Sequence, residues 1–139
     1  MNFIDELQAY VATQDHRGCD ESELAEVQSR SPIPLPQDYI DFLKVMGRGA
    51  EEFLVGTDYY FPEILEFQDA ARELLQEGPS PVALPPWFAI AMHQGYQFWA
   101  LTEEGVWWYT ENKETATLRH ANFREWFRTM MRIPPPRWG

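Results

Sequence analysis

Three prolines at alternate positions, Pro32, Pro34 and Pro36, constrain this chain more than any other feature. Each ring fixes its own φ and pushes the preceding residue out of the helical region, so the segment they occupy runs extended. Pro36 also suits the first position of a helix, where its missing N–H costs nothing. Tyr39, Ile40, Leu43 and Met46 then recur at the spacing of one helix face. Gly47 and Gly49 predict the end of that helix, since glycine accepts a left-handed cap and the turn beyond it. Residues 31–49 therefore read as a stiff entry, one buried helix and a glycine exit.

Helical spacing also joins Phe3, Ile4, Leu7, Tyr10 and Val11, and Asp20 with Glu23 forms a capping box before Leu24 and Val27. After Gly49, residues 52–55 read as a strand closed by Gly56-Thr57-Asp58. Ile64, Leu65, Phe67, Ala71, Leu74 and Leu75 mark a further helix, ended by Gly78 and Pro79. A proline-rich connector follows. Short aromatic runs at 87–92, 96–101 and 106–110, with a glycine in each gap between them, predict an antiparallel meander. Asn122 with Glu125 opens a last helix over 122–132, and 133–139 reads as a polyproline tail. The expected fold is α+β: an antiparallel β-sheet meander with helices packed against it, in one domain over residues 1–139.

The order of residues in the proline-led stretch carries more than its periodicity. Leu35-Pro36-Gln37-Asp38-Tyr39, then Phe42-Leu43, then the two glycines, resembles the signature of the SUKH superfamily. That group consists mostly of bacterial immunity proteins that neutralise toxins, and it includes a yeast cell-wall synthesis regulator. The resemblance extends over residues 20–131, with Phe123-Arg124-Glu125-Trp126-Phe127 echoing the terminal helix of the superfamily. One departure stands out: Arg48 splits the glycine pair, which members commonly precede with asparagine. The resemblance implies an α+β fold and a protein that acts by binding. Binding faces vary between members, so fold carries over better than partner.

Composition narrows the function classes. No apolar run approaches the ~20 residues of a membrane span, and the first residues lack the basic and apolar regions of a signal peptide. Cys19 is the only cysteine, which excludes an internal disulfide and fits a cytoplasmic protein. A net charge of −11 argues against nucleic acid and favours a partner with a basic surface. His16 and Cys19 flank Gly18 with no second pair to complete a metal site. Nucleophile elbows, phosphate loops and metalloprotease motifs are absent, so no metal, cofactor or catalytic role is expected.

Taken with the resemblance, the charge implies an immunity protein that blocks the active site or substrate groove of a toxin, of the nuclease type. The alternative is a regulatory or scaffolding module that binds a cellular protein. Candidate contact residues are Glu51, Glu52, Asp58, Glu103 and Glu104, near predicted strand ends and turns, with Tyr59, Tyr60 and Trp107 as aromatic anchors. Two questions stay open in the sequence. Phe98–Leu101 and Val106–Tyr109 are apolar on both strand faces, so one face packs on helices while the other is covered within the fold or exposed for a partner. Arg124, Arg128 and Arg132 share one face of the last helix, either solvated or paired with Asp20, Glu21, Glu23 or Glu26.

Overall fold

A computed structural model describes residues 2–134. The tail expected at 133–139 lies outside the described residues from Pro135 onward. In chain order the elements are α1 (Phe3–Val11), β1 (His16–Arg17), α2 (Glu21–Arg30), α3 (Gln37–Met46), β2 (Gly49–Ala50) and α4 (Glu63–Gln76). They are followed by β3 (Phe88–His93), β4 (Gln97–Thr102), β5 (Gly105–Thr110), β6 (Thr117–His120) and α5 (Phe123–Met130). The expected α+β arrangement is what the chain adopts: β3-β4-β5-β6 form an antiparallel meander, and β1 pairs with β2 in a separate small ribbon.

Helix α3 sits at the centre. Pro36 stands at its N-cap rather than its first turn, extended at φ −64 and ψ 149, and the Pro36 carbonyl accepts the N–H groups of Tyr39 and Ile40. Tyr39, Leu43 and Met46 have no exposed surface at all, and Ile40 and Phe42 are buried beside them. Phe42 meets Phe123 of α5 with ring centroids 5.3 Å apart, and Tyr39 meets Phe88 of β3 at 6.3 Å. Thus one helix joins the C-terminal helix to the sheet. Edge-to-face and tilted aromatic pairs of this kind each add about 0.5–1.5 kcal/mol beyond their area burial.

The exit of α3 depends on glycine for two different reasons. Gly47 keeps a right-handed helical backbone at φ −67, so its role is space and not the left-handed cap expected of it. A Cβ there would stand 2.5 Å from the Leu43 oxygen and 2.7 Å from Cys19 Sγ. Gly18, on the crossing segment, would likewise drive a Cβ into the Lys44 carbonyl oxygen. Gly49, by contrast, takes φ +120 and needs glycine for its backbone.

The meander registers Trp99 opposite Trp108, Ala100 opposite Trp107 and Leu101 opposite Val106. Its first face meets the helices, with Trp99 6.4 Å from Trp126 of α5. The second face is covered within the fold. Phe98, Ala100 and Tyr109 are buried there, Trp87 of the connector lies 5.8 Å from Phe98, and Val82 and Leu84 pack against the core. The outer edge of β3 is closed as well: the Gln68 amide both accepts from the Ala89 N–H and donates to its carbonyl, at 2.9 and 2.7 Å.

Two expectations need correction. No strand forms over 52–55, because Leu54 takes φ +44 and Gly56 φ +89, which break an extended path into turns. The pairing residues are instead Gly49 and Ala50. Arg124 and Arg128 do pair with the acidic body, but with α3 and α1 instead of α2. Arg124 binds Asp38 of α3 through two nitrogens, each at 3.1 Å, and Arg128 reaches Glu6 of α1 at 2.6 Å, because α5 crosses those two helices. Only Arg132 stays exposed.

Gly47→Ala tests the crossing. Helix propensity alone favours alanine by about 1 kcal/mol, whereas overpacking a tight contact costs about 1–3 kcal/mol. Urea unfolding should show net destabilisation; a neutral or more stable variant would mean that the crossing is loose.

Candidate functional site

Between the two-stranded ribbon and the loop that follows it lies an open cleft of about 600 Å³. The loop owes its shape to a buried plug at each end. Phe53 is wedged 5.0 Å from Tyr59 and 5.3 Å from Phe127. Tyr59 is buried, and its hydroxyl accepts from the Ala50 N–H at 2.8 Å and donates to the Ala50 carbonyl at 3.2 Å. Burial pushes that phenol up to about 12. Between the plugs, the Thr57 N–H donates to the Leu54 carbonyl at 2.9 Å, and Val55 stands out at the tip, 42% exposed.

The loop is anchored at both ends to regular structure. Asp58 exchanges two backbone hydrogen bonds with Met92 of β3, at 2.9 and 2.8 Å, while Thr57 Oγ1 meets His93 Nδ1 at 2.8 Å. On the other side the Glu51 N–H donates to the Asp15 carbonyl at 2.9 Å. Asp15, Glu51 and Asp58 thereby stand around one cleft although 43 positions separate the first from the last. None of the three belongs to an ion pair among the described residues. Tyr60 donates its hydroxyl to Asp58 Oδ1 at 3.1 Å, and burial together with that carboxylate raises the phenol above its usual range.

The eight candidates from the sequence fall into two groups. Glu51, Asp58, Tyr59 and Tyr60 line the cleft, with Glu52 exposed on the same turn and held by the Gln14 side chain. Tyr59 belongs to the floor and not to an exposed anchor. Glu103 and Glu104 occupy the β4–β5 turn, with Glu103 bordering a separate recess of about 220 Å³. Trp107 is half-buried, its Nε1 donating to Thr102 Oγ1 at 3.1 Å. The sequence reading missed Asp15, His16, Arg17 and Val55 as cleft residues. A two-residue strand has no periodicity to reveal it.

Arg48, the residue that splits the glycine pair, has a structural task. Its guanidinium is paired with Glu23 at the start of α2 and lies 5.3 Å over the Phe61 ring, and its N–H donates to the Arg17 carbonyl at 2.9 Å. Glu23 also completes the capping box with Asp20. Burial pushes the nearby Cys19 thiol up to about 11, with Glu23 adding to the rise, so it stays protonated at neutral pH.

A family model of the SMI1 / KNR4 family (SUKH-1) matches residues 18–129. The chain belongs to that family. A comparison with curated proteins finds no match. The SUKH-1 match opens at Gly18, on the crossing itself, and includes loop 51–60 but not Asp15, His16 or Arg17. The loop and the β2 strand of the ribbon therefore lie within the matched span, and only the β1 side of the cleft lies outside it. Among the described residues no helix is long and apolar enough to cross a membrane, and no group of three or more His, Cys, Asp or Glu stands where it could hold a metal ion.

The Arg48 hydrogen bonds and the Asp20 N–H hold the Glu23 carboxyl below its ordinary value of 4.5. The folded state therefore binds that proton less readily than the unfolded chain. Its contribution is complete above the ordinary value and fades as pH falls through the depressed one. Melting temperature should drop between about pH 5 and pH 3, and less steeply for Glu23→Gln. An equally steep drop in the variant would remove Glu23 from the account.

Proposed function

We propose that this chain is an immunity protein that binds a toxin and blocks its active site or substrate groove. Membership in SUKH-1 over residues 18–129 is the observation that carries the reading. Charge supports it: at −11 the molecule suits a partner with a basic groove, such as a toxin of the nuclease type. The carboxylates of Glu51, Asp58 and Asp15 add a local reason, since they stand around a concave surface and, among the described residues, belong to no ion pair. Glu52 extends that surface, and Tyr60 lends it a half-exposed aromatic ring. Inhibition works by occupancy, in the cytoplasm, where Cys19 remains a thiol; no catalytic step is required of the chain.

The basic helix has no direct part in this reading. Arg124 and Arg128 are consumed by Asp38 and Glu6, so α5 presents little free positive charge to a partner.

Growth rescue tests the proposal. Cells that express the gene adjacent to this one should stop growing, and co-expression of this chain should restore growth. With the purified pair, raising salt from 50 to 500 mM should slow association by about tenfold or more. A toxic neighbour that this chain fails to restrain would overturn the reading, and a non-toxic binding partner would favour the regulatory module. Salt-insensitive association would remove the electrostatic part alone.

A further inference from the structure

We infer that the cleft beside loop 51–60 is a receptor for one arginine side chain of the partner. The inference rests on the toxin-binding reading and names the chemistry by which that surface would grip. The floor is apolar, made by Phe53, Leu54 and Tyr59, with Val55 exposed at the lip. A three-methylene stem lies well on such a floor while its charged head stays at the wet rim. The rim carries Asp15, Glu51 and Asp58.

These carboxylates have acceptor capacity to spare. Asp58 accepts from Tyr60 through Oδ1 and Glu51 from the Asp15 N–H through Oε2. Neither second oxygen has a hydrogen-bond donor among the described residues. Among the described residues Glu6, Glu23, Asp38 and Asp69 each hold an arginine, and no arginine or lysine is paired with the cleft carboxylates. Asp15, Glu51 and Asp58 line one cleft and, among the described residues, none of them is in an ion pair. Of the cleft's two arginines, Arg48 is already neutralised by Glu23, and Arg17 leaves the rim net negative.

Arginine fits better than lysine. Its planar fork can bond several carboxylate oxygens in one plane and stack on an aromatic face, here the Tyr60 ring, whereas an ammonium is a compact and strongly hydrated charge. The receptor is also preorganised. The Asp58 backbone is fixed by its pairing with Met92 and the Glu51 backbone by its bond to Asp15, so little loop ordering opposes binding.

The full chain, labelled with ¹⁵N, can be titrated with N-acetyl-arginine methylamide, with its citrulline analogue and with its lysine analogue. Arginine should give saturable shifts at residues 15–17 and 50–60, and the neutral citrulline analogue should give none. Lysine should bind about threefold or more weakly, and Glu51→Gln with Asp58→Asn should weaken arginine binding about tenfold, a loss of ~1.4 kcal/mol. Equal binding of citrulline would make the cleft a neutral slot and overturn the inference, as would absent shifts or an unaffected double variant. Failure here leaves growth rescue untouched. Conversely, arginine binding without rescue would keep the receptor and remove the toxin reading.

Discussion

The carbonyl oxygen of Leu43 accepts two N–H groups, and much of the molecule depends on that meeting. One comes from Gly47, four residues on in the same helix at 3.0 Å, and the other from Cys19 on a separate segment at 2.8 Å. Helix ends leave carbonyls without intrahelical partners, and a buried end must find them elsewhere. The Phe61 N–H supplies such a partner to the Gly47 carbonyl at 2.8 Å, while the crossing chain adds a second donor to the Leu43 carbonyl. Two strangers in sequence are thereby fastened to one helix end. Next to these two points lie the strands of the small ribbon and the loop that make the cleft.

That dependence explains which parts of the molecule were legible in the sequence. Buried positions on α3 and α5 announce themselves through helical spacing, because burial of one face imposes that period on the residues that fill it. Asp20 with Glu23 and Asn122 with Glu125 declared their helix starts for a similarly local reason, a side chain reaching its own first turn. The crossing is not local. Gly18 and Gly47 are needed because two backbones approach each other, and no window of sequence contains both. The loop at 51–57 misled for the opposite reason: Phe53, Leu54 and Val55 have strand-like composition, yet positive φ at Leu54 and Gly56 turns the chain. β6, exposed along most of its length, offered no apolar alternation to recognise.

The acidic surface divides into carboxylates with structural partners and carboxylates without. Asp38 and Glu6 receive the arginines of α5 and draw that helix across α1 and α3, while Glu23 receives Arg48 and steadies the start of α2 beside the crossing. Part-exposed pairs of this sort contribute little to stability because water screens them, so they set orientation more than they supply stability. Asp15, Glu51 and Asp58 are left facing a cleft whose walls are tied to β3 and to the ribbon. A SUKH-1 scaffold built in this way can vary its rim without disturbing its core, since the rim carboxylates do no packing.

Hydrogen exchange at the Cys19 amide tests the central claim most directly. If the crossing holds the ribbon, the loop and α3 as one unit, that amide opens only with global unfolding. Its protection should then match that of the most slowly exchanging amides of α3 and respond to denaturant with the same slope. Exchange at Cys19 through a small local opening, while α3 stays fully protected, would contradict the account.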